Sequence, residues 1–315
     1  MSFPHQTRRQ FLNHAAVLSG SALLAGRLGR AADAESGSKL HLACQEYPWA
    51  VFYDRDHRDF GSMLETAFAE VARSGVNGFE PSMYSIQYVE KVGMLLKKHG
   101  LEMRSFYVNS DLCRAADVEK SIAQIVAVAQ RAKAAGARIV VTNPSPIRWG
   151  GQEGKDDAQL MIQAAALDRL GGLLREMGMV LAYHNHDAEL RNAAREFHHM
   201  LLGTDPKNVS FCLDVHWVYR GSGNSSVALF DVVRLHGSRI RELHLRQSIK
   251  GVWTEFLCDG DIDYRLLAKC LLEMGVKPHL VLEQAPEKGT PKTMDAVESH
   301  RRSCQYAREV FGQFA

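Results

Sequence analysis

Eight repeats of one unit, a helical stretch followed by a short β-rich run, predict a single (β/α)8 barrel, and three observations carry that prediction. Six of the eight β-rich runs directly follow a helical stretch that closes on a glycine. Polar or charged residues end nearly every run, as expected where all strands open on one mouth. A chain of 315 residues, 46% of them hydrophobic, is long enough and apolar enough for one core of that size. The competing arrangement, an open doubly wound sheet, calls for a Gly-rich phosphate loop after the first strand, and none is present.

The amino terminus is read apart from the fold. Thr7-Arg8-Arg9-Gln10-Phe11-Leu12 sets adjacent arginines before a modest apolar stretch, Ala15 to Ala25, and then a small-x-small site, Ala32-Asp33-Ala34. This order resembles a twin-arginine (Tat) leader. The resemblance implies a signal peptide over 1–34, the barrel over 35–315, recognition by the Tat export machinery, and a periplasmic, exported protein. The apolar stretch is too short and too rich in Ala, Gly and Ser for a stable membrane span.

Along the remaining chain the first β-rich run, Leu40-His-Leu-Ala-Cys-Gln45, follows the leader without a glycine stop. Ser74-Gly75 precedes the second, Val76-Asn-Gly-Phe-Glu80, and His99-Gly100 the third, Leu101 to Tyr107. Ala135-Gly136 introduces Ala137 to Thr142, and Met177-Gly178 introduces Met179 to His184. The sixth, Val209 to Asp214, follows Asp205-Pro206. Gly237 precedes Ile240 to His244, and Met274-Gly275 precedes Val276 to Glu283. Strands alternating with helices require right-handed crossovers and a parallel sheet.

Composition narrows the function. The formal charge is +2; without the four arginines and one aspartate of the leader the balance is 34 basic to 35 acidic residues, about −1, which lacks the bulk charge of a nucleic-acid binder. Six cysteines are scattered with no Cys-x-x-Cys pair, so they read neither as a zinc ribbon nor as a disulfide framework.

The strand ends offer Glu46, Glu80, Asn109, Asn143, His184 with His186, Asp214 with His216, His244 with Arg246, and Glu283. His184 and His186, two apart on a strand, project to one face. A His-x-His pair alone more often packs and hydrogen-bonds than binds metal, and Asp214 or His244 alone reads as a satisfied half-buried group. Acidic and imidazole groups at successive ends of one mouth would repel if unpaired, and a divalent cation removes the conflict. Nitrogen and carboxylate ligands suit Mn, Zn, Co, Fe or Mg.

His184 in Tyr-His-Asn-His, Asp214 in Cys-Leu-Asp-Val-His-Trp, His244 in Glu-Leu-His-Leu-Arg and Glu283 in Val-Leu-Glu-Gln resemble, in this order, the xylose isomerase-like TIM-barrel superfamily. That group holds sugar (phosphate) isomerases and epimerases, inosose dehydratases and apurinic endonucleases. The resemblance implies one divalent metal held by His184, Asp214, His244 and Glu283. The usual Glu of the first position is replaced by His184, as in a branch that reads Tyr-His-Asn-His-Asp. That departure weakens the mechanism in which two metal-bound glutamates oppose each other as acid and base. His216 stands where that branch commonly has Tyr, and Arg246-Gln247 where it has Lys-Asp; an arginine there would clamp a substrate oxygen.

The implied reaction is isomerisation or epimerisation of a sugar-like, keto-sugar or inositol-type substrate through an enediolate. Glu283 is the expected base, Glu80, His186 or His216 the partner that returns a proton, and Arg246 an oxygen clamp. Elimination by a dehydratase, or by a lyase or hydrolase on 3-keto-glycosides, is the alternative, and a non-catalytic exported sugar-binding barrel is a third reading. An apurinic endonuclease would need further histidines on the early strands and a basic face, which the sequence lacks.

Overall fold

Alternation of inward and outward side chains along eight short parallel strands is what builds the site of this protein. The computed structural model describes residues 40–83 and 85–315, and the segment read above as an export leader lies outside the described residues. In chain order, β1 (Leu42–Gln45), α1 (Glu46–Arg55), α2 (Leu64–Arg73), β2 (Gly78–Glu80), α3 (Ile86–His99), β3 (Ser105–Ser110), α4 (Ala115–Ala134) and β4 (Ile139–Pro144) form the first half. Then come α5 (Asp157–Glu176), β5 (Val180–His184), α6 (Arg191–Leu202), β6 (Val209–Asp214), α7 (Val215–Gly221), α8 (Ser226–His236) and β7 (Ile240–Leu245). A hairpin, β8 (Ser248–Ile249) and β9 (Val252–Trp253), precedes α9 (Tyr264–Glu273), β10 (His279–Leu282) and α10 (Ala296–Phe311).

The eight barrel strands pair in parallel in the order β2-β1-β10-β7-β6-β5-β4-β3. Parallel bridges between Gly78 and Glu102 and between Ser82 and Tyr107 bring β2 to β3 and nearly close the ring. The predicted barrel is therefore the observed one, with strand limits that move for physical reasons. The third strand starts at Ser105, because Leu101 to Met103 supplies the Glu102 bridge instead. The eighth starts at His279, after Pro278, which has no N–H to give a ladder.

Among the glycine stops, Gly100 adopts the left-handed conformation (φ 67°) and returns its N–H to Leu96 and Lys97, ending α3. Gly237 differs. Its φ is −56°, and a Cβ there would lie 2.5 Å from Met274 Cε, so it packs closely under that side chain and does not reverse the chain.

Outward residues such as Tyr183, Phe211, Leu213, Leu243 and Leu282 are fully buried in the main apolar core, where each contributes roughly 1.5–3 kcal/mol of burial. A second, small apolar cluster holds Val141, Ala182 and Cys212 with Tyr107 and Ile139 packed against it. Two residues further along the strands, the same inward faces carry His184 after Ala182 and Asp214 after Cys212. The polar groups thus sit directly above an apolar plug.

Candidate metal centre and active site

Strands β5, β6, β7 and the end of β10 bring His184, Asp214, His244 and Glu283 together, with one ligand atom from each lying within 4.8 Å of the others. Asp214 is placed twice over. Its Oδ1 accepts from Trp217 N–H at 2.8 Å and caps α7, while the buried Oδ2 has no hydrogen-bond partner. His184 Nε2 stands 3.7 Å from that Oδ2 and 3.9 Å from Glu283 Oε2, beyond hydrogen-bond length, and both its ring nitrogens are unpartnered. Asn185, between the two histidines of the motif, accepts from Asp214 N–H at 3.2 Å and so ties β5 to β6.

His244 Nδ1 faces Glu283 Oε2 at 2.9 Å, and its Nε2 lies 3.1 Å from both Glu80 Oε1 and Glu242 Oε1. This is the arrangement in which one imidazole nitrogen serves as ligand while the other is held by a carboxylate. The remaining Glu283 oxygen, Oε1, takes Arg246 Nη2 at 3.0 Å, and Arg246 Nε donates to the Glu283 carbonyl at 2.9 Å. Arg246 is 1% exposed and lies over the Trp253 ring at 4.2 Å; its Nη1 has no partner.

The electrostatics follow from this packing. Burial would raise the Glu283 pKa, but Arg246 and His244 outweigh it and hold the carboxyl well below the usual range, so it is ionised. Burial alone would lower His244; Glu80 and Glu283 raise it well above ordinary imidazole. Burial and the adjacent Glu80 push Glu242 far up, while His244 holds Glu80 down. Two carboxyls this close cannot both ionise, and the proton sits on Glu242. Burial keeps His186 neutral, its pKa well below normal.

The quartet fits a divalent cation. Two unpartnered buried atoms, His184 Nε2 and Asp214 Oδ2, face each other beside an ionised carboxylate, and burying polar atoms with no hydrogen-bond partner is costly. Two imidazole nitrogens and two carboxylates match Mn, Zn, Co or Fe more closely than Mg, which prefers oxygen alone.

Other expected site residues fall differently. His186 is at the mouth, its ring 4.8 Å from that of His184, with a buried Nδ1 that lacks a partner. Glu80 does not face the mouth. It is fully buried against His244, with Oε2 accepting from Ser105 at 2.6 Å, so in this structure it braces that imidazole from below the mouth. His216 is likewise corrected: because Asp214 caps a helix starting at Val215, His216 turns out of strand register. Its Nδ1 accepts from Trp253 Nε1 at 3.3 Å and its Nε2 meets Ser248 Oγ at 3.0 Å. Glu242 went unnoticed in the sequence, although it lies two residues before His244 and so shares its face.

The model of the xylose isomerase-like TIM barrel family matches residues 68–304. An inosose dehydratase from Geobacillus thermodenitrificans is 30% identical over 166 residues, covering 46% of this chain and 53% of that protein. One from Clostridium perfringens is 23% identical, covering 86% and 98%. Among solved structures, a sugar phosphate isomerase/epimerase from Parabacteroides distasonis superposes with a TM-score of 0.67 at 17% identity, covering 90% and 98%. A 3-keto-D-glucoside 4-epimerase from E. coli gives 0.62 at 14%, covering 86% and 100%. With the eight-stranded barrel and a family match over most of its length, the chain belongs to the xylose isomerase-like TIM barrel family.

Proposed function

We propose that this protein is a divalent-metal-dependent isomerase or epimerase of a sugar-like substrate carrying adjacent carbonyl and hydroxyl groups. The observation that carries this reading is the unpartnered pair His184 Nε2 and Asp214 Oδ2, buried beside Glu283 and His244 in one cluster. A bound divalent ion would supply Lewis acidity toward those two substrate oxygens. The chain's own residues do the rest. Glu283 is kept ionised by Arg246, and His186 is kept neutral by burial, so two groups at the mouth stand in their proton-accepting forms. Arg246 Nη1 is free to hold an oxygen that gains negative charge as the α-proton leaves. Return of the proton at a neighbouring carbon, or on the opposite face, gives isomer or epimer.

Elimination is the second reading, favoured by the curated relatives, which are inosose dehydratases. It uses the same proton removal, followed by loss of a hydroxyl. Export by the Tat route, proposed from the Arg8-Arg9 segment, would place the enzyme in the periplasm among free sugars, and fractionation of cells expressing the full chain tests it. The deciding experiment incubates Mn-loaded protein in deuterated water with a panel of ketoses, inososes and oxidised glycosides. Deuterium at the carbon α to the carbonyl with retained mass balance marks isomerisation or epimerisation, and loss of water marks elimination. No exchange on any member contradicts both.

A further inference from the structure

At the amino ends of the strands, opposite the mouth, lies a cavity of about 1200 Å³ that the proposed chemistry does not use. That end of such a barrel ordinarily serves stability, and a cavity this large matches or exceeds the roughly 300–1,000 Å³ of small-molecule sites. One wall comes from α3 and α4, and the floor from the segments that lead into β1, β3, β4 and β10. Leu101, Met103 and Phe314, all buried, give it an apolar lining.

The floor also holds two imidazoles. His41 and His279 have ring centroids 5.3 Å apart, and three of their buried nitrogens, His41 Nδ1 and Nε2 and His279 Nε2, have no hydrogen-bond partner. Burying polar atoms in this way is costly, and a ligand oxygen in the cavity would satisfy them.

Charge selects the kind of oxygen. The lining carries five cations, Lys97, Arg104, Arg131, Arg138 and Lys277, against two carboxylates, Glu90 and Glu102. Glu102 pairs with Arg104 at 2.8 Å and Glu90 faces Arg131 at 3.9 Å. Lys277 donates to the Ala315 oxygen at 3.2 Å and Arg138 to the Ala137 carbonyl at 2.8 Å. Among the described residues Lys97 and Arg138 have no carboxylate partner, so the rim is net positive. Burial and then the Arg104 charge lower His41 to about 4, and burial and then His41 lower His279 to about 3, so both rings are neutral. The positive field that discourages a proton on His41 favours an anion beside it.

We propose that this cavity is a second ligand site, for a monocarboxylate with an aliphatic body: the carboxylate accepts from the neutral imidazoles of His41 and His279 under the field of the rim cations, and the body lies on Leu101, Met103 and Phe314. A neutral polar ligand would leave the rim charge unanswered, and a small inorganic anion would leave the apolar lining uncovered.

Calorimetric titration of the full chain with octanoate, 1-octanol, octylamine and acetate tests this. Octanoate is expected to bind at least about 10-fold more tightly than each of the others, because 1-octanol lacks the charge, octylamine reverses it and acetate lacks the body. Lys97→Glu, at an exposed position of α3, should weaken octanoate about 5-fold. His279→Leu should weaken it about 10-fold, and thermal unfolding checks that both variants are folded. Asp214→Asn, at the opposite mouth, should leave octanoate binding unchanged whether or not a metal ion is held there. Any other probe binding as tightly as octanoate, an affinity unmoved in either folded variant, or no binding of octanoate overturns the inference. Loss of octanoate binding in Asp214→Asn also overturns it, by placing the carboxylate at the mouth.

Discussion

Replacing Glu80 with Gln should weaken metal binding far more than replacing Glu242 with Gln, although both carboxyls lie 3.1 Å from His244 Nε2. The difference comes from which of them holds the proton. Glu80 is the ionised member, and its charge beside Nε2 would hold the proton on that nitrogen when Nδ1 turns to a metal ion. Glu242 is already neutral, so an amide reproduces its shape, its charge and a donor toward Glu80. Losing a carboxylate behind a ligating histidine costs roughly 10–100-fold in metal affinity, about 1.4–2.7 kcal/mol. Glu242→Gln should cost less than about 3-fold, well inside that margin. Competition between the protein and a fluorescent chelator for Mn reads both constants, and thermal unfolding confirms that each variant is folded. Equal losses in the two variants, or a larger loss in Glu242→Gln, would refute the assignment of the proton.

Asp214→Asn keeps an oxygen to cap α7 and should lose metal with little change in stability, whereas Asp214→Ala should lose metal and about 1 kcal/mol more in urea unfolding. His300 stacks on Trp49 at 4.5 Å and is held neutral by burial, its pKa lowered from 6.5 to about 4, and His279 is lowered to about 3. Between pH 6.5 and about 4 the unfolded chain binds protons that the folded chain refuses, so stability is full above 6.5 and falls as pH falls. Each histidine contributes about 1.4 kcal/mol per pH unit to that fall. His300→Phe should flatten the slope by that amount in urea titrations at successive pH values; an unchanged slope would contradict its burial as a neutral group.

Much of the barrel could be read from the chain because each strand advertises itself by a preceding stop and a polar end. The clustering of His184, Asp214, His244 and Glu283 was legible for the same reason, since each closes an apolar run. What strand-end position could not convey is which side chain a group meets. Glu80 ends β2 as Glu283 follows β10, yet one lies against His244 Nε2 and the other against Nδ1. His216 lies off the strand face because Asp214 caps a helix that starts at Val215, which the chain around it does not announce. The β8–β9 hairpin has strands of two residues, too short for any period, although it positions Trp253 against Arg246 and His216. Glu242 could have been found by applying to Glu-Leu-His the spacing already applied to His-Asn-His.

If His184, Asp214, His244 and Glu283 hold one catalytic divalent ion, as proposed, the metal content of the protein must follow them. Elemental analysis of the protein purified without chelator and dialysed against Mn, side by side with His184→Ala, tests it most directly. About one divalent ion per folded chain is expected, and less than about a tenth of that in the variant. Wild-type protein without stoichiometric metal, or a folded His184→Ala that retains it, would rule out this site.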